Sequence, residues 1–99
     1  MKLEELSGLK TVLFDIVPLA IEEAGIAYLN DTHLWVINLN QNHPGFDRDH
    51  VNLAQIIELL EHHAHYFRNQ CDVFEQERAE LLGRLKAHDP DTPVDLPLH

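Results

Sequence analysis

Ninety-nine residues suffice for one domain with a modest core and are too few for two. Seventeen acidic against seven basic residues give a formal charge of −10, a field that repels nucleic acid and anionic membrane surfaces and attracts basic proteins. The 44% hydrophobic content argues against disorder, and the longest apolar run, Ile16 to Ile21 with a proline inside, is far short of a membrane span. The first residues lack the apolar core of a signal peptide, and a single cysteine cannot form an internal disulfide. The expectation is a cytoplasmic protein that binds neither nucleic acid nor membrane.

Residues 3 to 24 read as a first helix. Leu3, Leu6, Leu9, Leu13, Ile16, Ala20 and Ala24 recur at steps of three and four, and Glu4 and Glu5 suit the positive end of a helix dipole. Pro18 cannot donate a backbone hydrogen bond, so this helix is expected to kink there; Gly25 supplies its stop. Ile26 to Leu29 and His33 to Leu39 are rich in β-branched and aromatic residues around the turn residues Asn30-Asp31-Thr32. They read as a two-stranded antiparallel hairpin that must pack on helices. Pro44-Gly45 marks a turn. Asp47 is the expected N-cap of the last helix, with Phe46 and Val51 as a hydrophobic staple.

From about Asp49 to Ala87 one seam persists: Leu53, Ile57, Leu60, Ala64, Phe67, Cys71, Phe74, Arg78, Leu81 and Leu85. Steps of four and three alternate without a slip, which a helix can use and a strand cannot. Unbroken, that helix is roughly 60 Å long, against roughly 33 Å for the first. The expected architecture is α+β: α-β-β-α with a kinked first helix, a hairpin and a long C-terminal helix. Residues 1–87 form its single domain, and 88–99, rich in Pro and Asp, form a flexible tail. The first helix and hairpin are too short to cover the whole seam. Either the long helix breaks near Asn69–Asp72 and folds back, or Phe67, Cys71, Phe74, Arg78, Leu81 and Leu85 form a homodimer interface. The unbroken spacing favours the dimer.

Chemistry is sparse. Glu58, His62 and His65 share a helix face in this reading and are the candidate metal ligands, but that face points away from the seam. Cys71 on the seam reads as a core thiol, Ser7 has no neighbouring base, and four scattered glycines make no phosphate loop. No enzyme and no cofactor are expected. The acidic residues have a clearer use. Asp72, Glu75, Glu77 and Glu80 along the last helix, with Glu22 and Glu23, imitate the spaced charge of a nucleic-acid backbone. They are the expected contacts to a basic, nucleic-acid-handling protein, which this chain would regulate or inhibit. Small phage and mobile-element inhibitors of restriction or CRISPR enzymes offer an analogy of size and charge. The alternatives are a metal-binding protein centred on Glu58, His62 and His65, or a structural subunit of a larger assembly.

Overall fold

The computed structural model describes residues 2, 3, 5, 12–65 and 71–96. They form a four-stranded mixed sheet and two helices: β1 (Val12–Val17), β2 (Gly25–Leu29), β3 (Trp35–Asn40), a 3-10 turn (Arg48–His50), α1 (Leu53–His62), a two-residue β4 (Ala64–His65) and α2 (Cys71–Lys86). The sheet order is β1-β3-β2-β4. β3 lies parallel to β1 and antiparallel to β2, and β4 lies parallel to β2. The class is α+β, but the α-β-β-α plan with its kinked first helix, free hairpin and long last helix is overturned.

The first departure is β1. Val12, Phe14, Ile16 and Val17 are β-branched or aromatic, and Val12, Phe14 and Ile16 stand opposite Trp35, Ile37 and Leu39 of β3. Leu13 and Ile16 fit a helical stripe at a step of three, while Val12, Phe14 and Ile16 fit a strand face at steps of two, so periodicity alone cannot separate the two. The β3 edge decides for the strand. Pro18 follows directly; it restricts Val17 to extended backbone and ends the strand rather than kinking a helix. Leu3 and Glu5 are helical, and Leu3 is fully buried in the core.

The second departure is the break of the long helix. It falls at His63, earlier than the Asn69–Asp72 segment of weak propensity. There the chain leaves helical geometry to place Ala64 and His65 beside Ala27 and Tyr28, and the His63 carbonyl accepts the Ala27 N–H at 3.1 Å. The outer edge of β2 takes these residues because its unpaired backbone groups need partners. The N-cap is also displaced. Asn52 caps α1 in a full capping box with Gln55, whereas Asp47 caps the 3-10 turn.

One face of the sheet carries the core. Gly25, Ala27 and Leu29 of β2 alternate inward opposite Leu39, Ile37 and Trp35 of β3. Leu53, Ile56, Leu59 and Leu60 of α1 and Phe74, Leu81 and Leu85 of α2 join the same buried cluster. A Cβ on Gly25 would lie far inside contact distance of the Asn38 carbonyl oxygen and 3.3 Å from Leu59, so the strand start needs glycine for close approach, not as a helix stop. The Trp35 ring sits 5.6 Å from that of Phe74, and its Nε1–H has no hydrogen-bond partner among the described residues.

This packing covers the seam that a second copy was expected to cover. Phe74, Leu81 and Leu85 are at most 3% exposed within the single chain. Arg78 bonds Glu75 of its own helix at 2.8 Å, and its guanidinium lies over the Phe74 ring. Phe67 and the side chain of Cys71 lie outside the described residues. The longest dimension of the fold is 33 Å, about half the length of an unbroken Asp49–Ala87 helix.

The segment after α2 is built into the fold rather than left as a tail. Val94 is buried, and its N–H bonds the Val51 carbonyl. Pro90 and Thr92 accept the N–H groups of Ala54 and Leu53. Those amides belong to the first turn of α1, where a helix has no internal acceptors to offer. No helix among the described residues is long and apolar enough to cross a membrane.

Candidate functional site

A cavity of about 340 Å3 opens at the end of the sheet where β2 begins and β3 ends. Four separate stretches build it. Glu22 and Ala24 come from the β1–β2 loop, Leu39 from β3, and His43, Gly45 and Phe46 from the turn after it. Val51 precedes α1, and Gln55, Glu58, Leu59 and His63 come from α1 and its C-cap. Positions 55, 58 and 59 share one helix face, which explains why α1 alone supplies so much of the wall. Ala24, Leu39, Phe46, Val51 and Leu59 make an apolar surface. Glu22 and Glu58 are exposed, and neither has an ion-pair partner among the described residues.

Asn40 fixes this end of the sheet. Its side chain is fully buried and makes four hydrogen bonds. Nδ2 donates to the carbonyls of Ala20 (2.7 Å) and Glu23 (2.6 Å). Oδ1 accepts from the backbone N–H of Leu19 (2.8 Å) and Asn42 (3.0 Å). One amide thus ties the loop carrying Glu22 to the turn carrying His43. In that turn the Gly45 N–H donates to Nδ1 of His43 at 3.1 Å. A ring nitrogen that accepts carries no proton, so in the neutral ring this bond selects the tautomer with its hydrogen on Nε2.

The carboxylates picked from the sequence have separate fates. Of the metal candidates, Glu58 lines the cavity, His62 points to Glu61 at 3.7 Å, and His65 lies exposed on β4. The turn at His63 removes the shared helix face, and among the described residues no three His, Cys, Asp or Glu side chains converge to hold a metal ion. On α2, Glu75 pairs with Arg78 and Glu80 with Arg84 at 2.9 Å, whereas Asp72 and Glu77 have no ion-pair partner among the described residues. Glu22 reaches the cavity rim; Glu23, next to it, is exposed. Sequence reading missed His43 and Gln55 and gave His63 no role at a site. The Asn52-x-x-Gln55 capping box was the available signal that α1 starts late enough to turn Gln55 and Glu58 toward the Pro44-Gly45 turn.

Two carboxyls are held below their ordinary range. For Asp47 the cause is chiefly the Asp49 N–H it accepts, then its 2.6 Å contact with His50. For Glu61 it is the hydrogen bond from Lys86, at 2.5 Å, which joins α1 to α2. A carboxyl depressed in the folded state stabilises the fold above its unfolded value of 4.5, and that contribution is lost as pH falls through the lower folded value. In Lys86→Met, carbon-detected NMR titration should therefore find Glu61 moved up toward 4.5. An unmoved titration would show that the ion pair does not persist in solution.

No protein-family model matches the chain, and neither a curated protein nor a solved structure is similar to it.

Proposed function

We propose that this is a cytosolic, non-enzymatic interaction protein that binds a basic protein partner, preferably one that handles nucleic acid, and regulates or inhibits it. The observation that carries the reading is how the chain spends its cations. Arg78, Arg84 and Lys86 are committed to Glu75, Glu80 and Glu61 within the chain. Glu22, Glu23, Asp72 and Glu77 have no such partner among the described residues, so these four carboxylates, within a chain of net charge −10, are left to meet an outside cation. The acidic row of α2 is consequently sparser than a nucleic-acid mimic needs along its whole length. The loop carboxylates Glu22 and Glu23 carry more of the proposed recognition than Glu75 and Glu80 do.

The test uses a fluorescent arginine-rich peptide as the basic probe. Its affinity should fall about ten-fold or more between about 50 and about 500 mM salt, because screening shortens the reach of exposed charges. Replacing Glu22, Glu23, Asp72 and Glu77 by their amides should weaken binding more than the same loss of charge at Glu5, Asp31, Asp49 and Asp91. Equal weakening by the two sets, or an affinity flat with salt, overturns the reading.

A further inference from the structure

The cavity at the end of the sheet combines features that neither net charge nor fold explains. Its lining includes the apolar residues Leu39, Phe46, Val51 and Leu59 together with two carboxylates, Glu22 and Glu58. No Lys or Arg is among its described lining residues. An anion would meet two carboxylates, with only the imidazoles of His43 and His63 to set against them. A purely apolar ligand would strip water from those carboxylates and return nothing, at a cost that rises with burial. A cation carried on an aliphatic stem satisfies both surfaces, with the stem against Leu39, Val51 and Leu59 and the charged head between the acids. Among biological cations, a guanidinium fits best. It is weakly hydrated, it stacks on aromatic rings, and its forked donors pair with carboxylates in two parallel bonds. Phe46 supplies the ring.

The size agrees. About 340 Å3 lies at the small end of ligand pockets, suited to one long side chain or a small molecule rather than to a nucleotide or a folded peptide. The walls are also set in advance. Asn40 anchors the loop that bears Glu22, the Gly45 N–H fixes the His43 ring, and the capping box fixes the start of α1. Preorganised walls mean that little ordering is left for the ligand to drive.

We propose that this cavity is a binding site for an alkylguanidinium group, held between Glu22 and Glu58 over Phe46. The inference concerns the cavity alone and stands whether the guanidinium arrives as the arginine side chain of a protein or as a free small molecule. It therefore fails or holds separately from the salt-dependent peptide binding above.

Butylguanidinium is the first probe, followed by amide NMR of the full chain. Saturable shifts should gather at Ala24, Gly45, Phe46 and Leu59. Butylamine should bind more weakly and the neutral butylurea weaker still. Glu58→Gln and Glu22→Gln should each weaken butylguanidinium about ten-fold, the worth of one charge-assisted hydrogen bond. Both sites are exposed, and an unchanged spectrum of each unliganded variant verifies the fold. A blocked arginine flanked by glycines separates the sources: tighter binding than butylguanidinium assigns the site to a protein side chain, and weaker binding assigns it to a free guanidinium. Shifts spread over Asp72, Glu77 and the other exposed acids, shifts that never saturate, or undiminished binding by both glutamine variants would overturn the site.

Discussion

Asn40→Leu is expected to remove about 3–6 kcal/mol of folding stability, enough to leave much of the chain unfolded, since small domains hold only about 5–15 kcal/mol. Leucine is close in size, so the loss is one of hydrogen bonds, not of volume. The carbonyls of Ala20 and Glu23 lose their donor, and the N–H groups of Leu19 and Asn42 lose their acceptor. Each group stranded away from water costs about 1–3 kcal/mol, and partial access of water sets the lower end of the range. Asn40→Asp refines the test. Its carboxylate could still accept from Leu19 and Asn42 but would face the Ala20 and Glu23 carbonyls without a donor. Protonation restores one donor, so the folded-state pKa of the introduced acid is raised, and the deficit against the native protein should shrink as pH falls through it. Urea melts across pH read both effects. A loss under about 1 kcal/mol for Asn40→Leu would show that the loop is not held in solution as it is here.

Phe74→Ala should cost about 3–5 kcal/mol, the usual range for emptying a buried aromatic site. The ring is 3% exposed, tilted at 49° to Trp35 and covered by the Arg78 guanidinium 5.4 Å from its centre. Its removal strips three kinds of contact at once: apolar burial, the ring pair and the cation over the ring. The sole tryptophan reports the event directly, because Trp35 emission should shift to the red as water reaches the vacated space. The melting temperature of the native protein should not depend on its concentration. A coiled-coil seam through Phe74 would make it rise with concentration, and that result would return Phe74, Leu81 and Leu85 to an interface between copies.

These two residues also show what could and could not be seen in the chain before it was folded. The Phe74–Leu85 spacing gives α2 and its buried stripe directly, because a helix that packs on a sheet keeps the same period as one that packs on a copy of itself. What the period cannot say is which surface answers the stripe. Trp35, some forty residues earlier in the sequence, answers it. The pairing of β2 with β3 was legible for local reasons: alternating Ala27 and Leu29, then Trp35, Ile37 and Leu39, around Asn30. The Asn30 side chain accepts from the N–H of Thr32 and of Leu34 to close the turn. β1 was not legible, since Val12 to Val17 fits two periods and only the free edge of β3 selects between them. The break at His63 is likewise decided by β2, not by the residues that break. The cavity is hidden for the same reason. Glu22 was noticed as a partner contact and Glu58 as a metal ligand, but their place in one cavity depends on Asn40, an ordinary strand-end asparagine in the sequence, and on where α1 begins.

The return of residues 90–94 to the start of α1 bears on how the chain comes into being. At about 5–20 residues per second, Thr92 is synthesised seconds after Leu53 and Ala54, the amides that its segment satisfies. Until then the first turn of α1 lacks its acceptors, and Val51 lacks the cover of Val94. Until residues 90–94 are added, the chain therefore has a helix start without its acceptors and an apolar spot at Val51 beside its cavity. Chaperones, proteases or a waiting partner can read that spot. It closes when residues 90–94 arrive, so the start of α1 is completed only by the last residues of the described chain.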